Sequence, residues 1–235
     1  MSSIEITRRT LLTSTATAAA VGLEATSFVA AAEPEAFPAG PAEALARLKL
    51  GNERFAAGKT LHAHESADWR KHLVGGQKPF ATILGCADSR VPVELVFDQG
   101  FGDLFVVRVA GNVIAPDVVG SLEYAVAHLA TSLVVVVGHE SCGAVTAAVQ
   151  ALSGNSDPLP GINALAELIE PGLPPTLDQL PAEQRIPRAV EANVRWSLTQ
   201  LLKLPEAARA VAAGRIQLVG AVYELTTGRV RFLEA

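Results

Sequence analysis

Ala81-Thr82-Ile83-Leu84-Gly85-Cys86-Ala87-Asp88-Ser89-Arg90 is a short apolar run that ends in a thiol, a carboxylate and a guanidinium. A second stretch repeats the plan: Leu133-Val134-Val135-Val136-Val137-Gly138 runs into His139-Glu140-Ser141-Cys142. Short runs rich in β-branched residues, bounded by glycine and polar residues, predict strands of a parallel sheet covered on both faces. In open α/β sheets, ligands bind beyond the carboxyl ends of the strands, where strand order reverses. Both polar tails therefore fall where this architecture keeps its chemistry. Together they hold both cysteines of the chain and one of its five histidines.

These are zinc-ligand types. Thiolate and imidazole are donors that zinc prefers, and a carboxylate can fill a fourth tetrahedral position. Cys86 and Asp88 are two apart, so an extended backbone points both side chains the same way. His139 and Cys142 are three apart, which fits one turn between a strand end and a helix start. A helix beginning near Cys142 offers free N–H groups and a positive dipole end, and both favour a thiolate.

The ligand charges bear on mechanism. Two thiolates neutralise Zn²⁺, the imidazole adds no charge, and the fourth position decides reactivity. With Asp88 on the metal, the centre is anionic, closed and catalytically silent. With water there, the metal lowers that water's pKa to roughly 7 and gives hydroxide at neutral pH. Arg90 makes the second arrangement possible, because its guanidinium fork can hold the Asp88 carboxylate away from the metal. Asp88 is thus a candidate ligand in one state and a candidate orienting base in the other.

Cys86-x-Asp88-x-Arg90, followed by His139-x-x-Cys142-Gly143, resembles the motif pair of the β-class carbonic anhydrases. Gly102 to Arg108, Ala110-Gly111-Asn112, Gly120 to Val126 and Gly138 to Val145 resemble that family's blocks, in its order. The likeness covers roughly residues 41 to 233 and is densest from 77 to 149; the paired motifs at this spacing are its most specific part. The resemblance implies a zinc-dependent carbonate dehydratase: reversible hydration of CO₂ to bicarbonate and a proton by zinc-bound hydroxide. It implies zinc on Cys86, His139 and Cys142, with Asp88 either on the metal or paired with Arg90. It also implies a substrate cleft using Gln77, Phe105, Tyr124 and Gly143, partly across a dimer interface, in a homodimer or tetramer. Two departures from the family pattern stand out: Val109 where asparagine is common, and a proline-rich stretch from about 153 to 187.

Working outward, the next strand is expected at Asp103 to Val109, after the tight turn Gly100-Phe101-Gly102. Arg108 within it is expected to brace a carboxylate, and Gly111-Asn112 punctuates the exit. A helix from Ser121 to Leu129 should cross back to the 133–137 strand as a right-handed βαβ unit. The helix after Cys142 should reach about Leu152, followed by loop from Ser153 to Pro160 and short helices over 161–170 and 187–204. Ile216 to Leu225 and Arg229 to Leu233, joined by Thr226-Thr227-Gly228, predict a closing hairpin. The expected fold is α/β: four parallel strands in spatial order 2-1-3-4, an added antiparallel edge strand, and helices on both faces.

Towards the N-terminus, a helix from Pro41 places Ala44, Leu45, Leu48 and Phe55 near one face, with Gly51-Asn52 as an interruption. A second helix should span Ala67 to Val74 and stop at Gly75-Gly76. Residues 33 to 40, Glu-Pro-Glu-Ala-Phe-Pro-Ala-Gly, read as a linker, and 41–235 as a single zinc domain. The first 32 residues read as an address: Thr7-Arg8-Arg9-Thr10-Leu11-Leu12 is a twin-arginine pattern, followed by an Ala/Thr-rich stretch and Ala30-Ala31-Ala32 before Glu33. Glu24 and several hydroxyls interrupt the run, which predicts a cleaved signal rather than a lasting membrane span. The expected destination is the periplasm.

A chain of 235 residues with 49% hydrophobic content can bury one sizeable core. The formal charge of −5 is not gathered into any block, which argues against nucleic acid or an anionic membrane as partner. His62 and His64 lie in a polar stretch with no third ligand nearby, so a solvated loop is expected there. His72 and His128 sit in helical patterns and suit surface or packing roles, with a proton-shuttle role left open.

Other readings of the central residues stand beside this one. In an exported protein two cysteines often form a disulfide, but a disulfide needs neither Asp88, Arg90 nor His139. A closed structural zinc site would have no use for a competitor such as Arg90 two residues from a permanent Asp88 ligand, while a catalytically silent zinc-bound scaffold stands as an alternative function. The same zinc hydroxide could also attack carbonyl sulfide or carbon disulfide.

Overall fold

The structure, a computed structural model, describes residues 37–234. The leader expected over 1–32 lies outside the described residues, as does 33–36 of the expected linker. Five strands form one sheet: β1 (Ala81–Gly85), β2 (Leu104–Arg108), β3 (Leu133–His139), β4 (Gln217–Tyr223) and β5 (Val230–Phe232). Their order is β2-β1-β3-β4-β5, parallel throughout except for the antiparallel β4–β5 pair. This is the expected 2-1-3-4 sheet with its added edge strand.

The apolar runs are continuous because both faces of the centre are covered. Every residue of β1 and β3 is buried, whereas β2, at one edge, is only partly so. Alternation along the strands feeds two cores. Leu84, Val134 and Val136 enter one core with residues of α4 (Pro116–His128), α5 (Gly143–Leu152), α6 (Pro160–Ile169) and α7 (Ala182–Lys203). Ile83, Val135 and Val137 enter the other with α1 (Pro41–Ala56) and the single turn α3 (Val93–Val96). Two shorter helices, α2 (Ala67–His72) and α8 (Pro205–Ala212), complete the set. Among the described residues, no helix is long and apolar enough to cross a membrane.

Several local expectations need correction. Gly51-Asn52 does not interrupt α1. A Cβ on Gly51 would fall 1.8 Å from the Phe97 carbonyl oxygen, so the glycine permits a close approach between helix and loop. Asn52 donates through Nδ2 to the Val96 and Gly228 carbonyls at 3.0 and 2.8 Å, and its Oδ1 accepts from the Val230 N–H at 2.8 Å. Two residues that read as a stop are thus a packing contact and a tie to the closing hairpin.

Helix α4 starts at Pro116 rather than Ser121, since proline at the first helical position costs no hydrogen bond. Helix α7 starts at Ala182 rather than 187 and carries Pro187 in its second turn; tertiary packing outweighs the forfeited backbone bond. Helices α3 and α8 have no counterpart among the sequence expectations. His64 is not solvated either. Its Nδ1 lies 2.9 Å from both Asp103 carboxylate oxygens, and its ring stacks on Trp69 at 3.9 Å between centroids.

Candidate metal centre

The sheet delivers the candidate ligands from two adjacent strand ends. Cys86 directly follows β1, His139 is the last residue of β3, and Cys142 is the N-cap residue of α5. Parallel pairing of β1 with β3 brings these ends side by side. The two Sγ atoms and a His139 ring nitrogen all lie within 4.8 Å of one another, and all three residues are buried. Both cysteines are free thiols, so no disulfide bridges them.

The donor set fits a metal ion. His139 donates from Nδ1 to the Glu140 carbonyl at 2.8 Å, which fixes the tautomer and leaves the Nε2 lone pair facing the thiols. That Nε2 is buried with no hydrogen-bond partner. A buried, unsatisfied acceptor beside two thiols is costly in an empty core and expected of a metal ligand. Contact with Cys142 is the largest cause drawing the Cys86 pKa down to about 4, helped by His139 and the Gly111 N–H against the opposing effect of burial. The remaining proton stays on Cys142, whose pKa is pushed up by the same contact and by burial. A metal ion would displace that proton. Burial works against a charge on His139, but the closeness and negative charge of the Cys86 sulfur, with the Glu140 carbonyl and Asp88, raise its pKa overall.

Asp88 stands at the edge of this cluster, committed elsewhere. Arg90 donates from Nε to Oδ1 at 2.9 Å and from Nη2 to Oδ2 at 2.7 Å, while its backbone N–H adds a third bond to Oδ1 at 2.9 Å. The Arg90 fork holds the Asp88 carboxyl well below the usual carboxylate range. Oδ2 nevertheless lies only 3.8 Å from His139 Nε2. A second arginine works on the same loop. Arg108, expected to brace a carboxylate, instead donates to the Cys86 and Asp88 carbonyls at 3.0 and 2.7 Å. Arg90 already engages both oxygens of the Asp88 carboxylate, and Arg108 satisfies the loop's backbone acceptors instead.

The expected cleft residues divide into two groups. Gly143, the first residue of α5, adjoins Cys142 and belongs to the cluster. Phe105 pairs in register with Thr82, four residues before Cys86, which puts it about 13 Å back along the sheet. Tyr124, on α4, is exposed, with its ring centroid 6.1 Å from that of Phe105. Gln77 precedes β1 and lines a separate cavity of about 510 Å³ with His64, Trp69 and Lys78. One chain therefore gathers Cys86, Asp88, Arg90, His139, Cys142 and Gly143 at one end of the sheet, and leaves Gln77, Phe105 and Tyr124 at the other.

Some contributors have roles that the sequence does not assign. Gly111 donates its N–H to Cys86 Sγ at 3.3 Å, a contact that neither the punctuation reading of Gly111-Asn112 nor the family likeness of Ala110-Gly111-Asn112 assigns. Asn193, 82 residues further on, donates to the Gly111 carbonyl. Nothing local to residue 193 announces that.

A family profile described as carbonic anhydrase matches residues 81–230. The carbonic anhydrase 2 of Mycobacterium tuberculosis is 44% identical over 192 residues, covering 80% of this chain and 91% of that protein. The carbonic anhydrase of Mycolicibacterium smegmatis is 41% identical over 191 residues, covering 81% and 92% respectively. Among solved structures, the β-carbonic anhydrase CcaA superposes with a TM-score of 0.66 at 28% identity, over 81% of this chain and 95% of that one. A β-carbonic anhydrase of the ascomycete Sordaria macrospora, one of two described as tetrameric, gives 0.65 at 27% identity over 78% and 93%. With its sheet order, its Cys-His-Cys cluster and these likenesses taken together, the chain belongs to the β class of the carbonic anhydrase family.

Proposed function

We propose that the protein is a zinc-dependent carbonate dehydratase that interconverts CO₂ and water with bicarbonate and a proton. One observation carries the reading. Both oxygens of Asp88 are occupied by Arg90, while the Cys86, His139 and Cys142 donors converge without it. Three protein ligands with a fourth position left to solvent are the pattern of catalytic rather than structural zinc. When bound, zinc supplies Lewis acidity that lets water give up a proton near neutral pH.

The chain's own residues supply the rest. His139 and the two sulfurs would hold the ion. Asp88, kept ionised by Arg90, presents Oδ2 beside the centre as a hydrogen-bond acceptor for the attacking water, aiming its lone pair at the carbon of CO₂. At the start of helix α5, the Ala144 and Val145 N–H groups bond to the Cys142 sulfur and favour its thiolate form. Arg108 anchors the loop that carries both Cys86 and Asp88.

Substituting Arg90→Ala tests the assignment. The variant should retain zinc near one ion per chain by metal analysis, while CO₂ hydration falls roughly 10- to 100-fold, because Asp88 is then free to take the fourth position. Full activity in this variant removes Arg90 from the mechanism, and a wild-type protein that holds zinc but hydrates no CO₂ sinks the function itself.

Two further parts of the reading concern the whole protein. A dimer, alone or paired into a tetramer, is the working form, since Gln77, Phe105 and Tyr124 complete a cleft only if a second copy offers them. The twin-arginine leader directs the chain to the periplasm. Replacing Arg8 and Arg9 by lysine should leave the protein cytoplasmic on fractionation; unchanged export would remove that pathway.

A further inference from the structure

The turn Ala110–Asn112 lies against the cluster and is held from behind by one helix. Gly111 donates its N–H to Cys86 Sγ at 3.3 Å. Its own carbonyl accepts from Asn193 Nδ2 at 2.8 Å, and the next carbonyl, of Asn112, accepts from Ser197 Oγ at 3.1 Å. Asn193 and Ser197 are one turn apart on α7, on the same face, and each is only 1% exposed.

The turn has little freedom. Gly111 has φ of +69°, and a Cβ there would fall 3.0 Å from both Ala144 of α5 and Ile169 of α6. The far end of the Asn193 amide, Oδ1, is buried without a partner. A core position that only filled space would favour an apolar side chain of that size, because an unsatisfied buried oxygen is costly. Asn193 is retained for its donor end, and that end is spent on the turn that touches the sulfur.

We infer that α7 tunes the metal centre: Asn193 and Ser197 are positioning residues that aim the Gly111 N–H at the Cys86 thiolate. A hydrogen bond to a thiolate withdraws charge from it, so the sulfur donates less to the metal and the ion stays a stronger Lewis acid. Outer contacts of this kind also hold the ligand in place. The inference rests on the metal-centre reading above and adds to it residues 193 and 197, which carry no ligand atoms.

Cobalt(II) is the probe, since its cysteinate-to-metal charge-transfer band reports electron density on sulfur. The full-length protein, Asn193→Leu, Ser197→Ala and a control, Leu201→Ala, are loaded with Co²⁺ and compared by absorption and by metal titration. Leu201 is a buried α7 residue whose truncation weakens packing without touching the turn. Both turn variants should move the band to lower energy and bind Co²⁺ about tenfold more weakly. The control should melt earlier with its band in place. Bands at the parental position in both turn variants, or an equal shift in Leu201→Ala, overturn the inference. If Asn193→Leu does not fold, Ser197→Ala decides: an unshifted band there is sufficient to reject it. A parent protein that takes up no Co²⁺ at all would instead reject the metal centre, and this inference with it.

Discussion

At the scale of single residues, the site depends on which partner each polar atom already has. Asp88 would be an ordinary fourth ligand if Arg90 did not engage both of its oxygens, and His139 Nε2 would be an unexplained orphan without a metal to receive it. Gly111 matters for the opposite reason, because it has no side chain. Its left-handed backbone costs any other residue about 1–2 kcal/mol, and the space around it is filled. Gly111→Ala should therefore lower unfolding free energy by about 2–3 kcal/mol and reduce zinc retention after dialysis, read by denaturant titration and metal analysis. Unchanged stability would mean that the turn yields more easily than its contacts suggest. Cys86, Asp88, Arg90, His139 and Cys142 were legible at this scale because ligand chemistry restricts zinc to a few residue types. Arg108 was misread, since a guanidinium serves carbonyls as well as carboxylates and the sequence does not say which is nearer.

At the scale of elements, α7 ties the molecule together. Glu191 receives Arg195 of the same helix at 3.2 Å and Arg231 of β5 at 3.1 Å. Burial pushes the Glu191 pKa up, but the two arginines outweigh it and the net shift is downward. A lowered carboxyl pKa means that the folded chain binds fewer protons than the unfolded one in acid. The stabilisation is therefore present above the ordinary glutamate range and is lost as pH falls through the lowered value. Relative to Glu191→Gln, the advantage should be no more than about 1 kcal/mol, because the arginines are half exposed. Thermal melts should show it full above about pH 5.5 and shrinking towards pH 3; a difference that ignores pH would assign the contact to packing. The β-strands were the legible elements, since β-branched runs between glycines have few alternatives. The helices were less so. Gly51-Asn52 reads as a break yet sits inside a helix, and the helices expected from Ser121 and from 187 begin earlier, at Pro116 and Ala182, because packing and position decide where a helix starts and what a breaker does.

At the scale of the whole molecule, the sheet separates what the cleft requires. The metal ligands stand at the carboxyl ends of β1 and β3, while Phe105 pairs with Thr82 near the opposite end. If a second copy supplies Phe105, then mixing Cys86→Ala with Phe105→Ala should rebuild one complete site in each mixed dimer. Random pairing makes about half of the dimers mixed, so activity should return to about a quarter of the wild-type value per subunit. No recovery after exchange of subunits would place Phe105 outside the partner's cleft. The sequence by itself located the strands and marked Cys86, His139 and Cys142 as donors of zinc-ligand type, because strand signals and ligand chemistry are local, and the expected strand order agreed with the sheet. Only the tertiary structure decided that Arg90 rather than the metal site holds Asp88, that Arg108 grips the ligand loop, and that α7 reaches Cys86 through Gly111. Those outcomes depend on distances between atoms far apart in the chain, and folding sets such distances through the packing of entire elements.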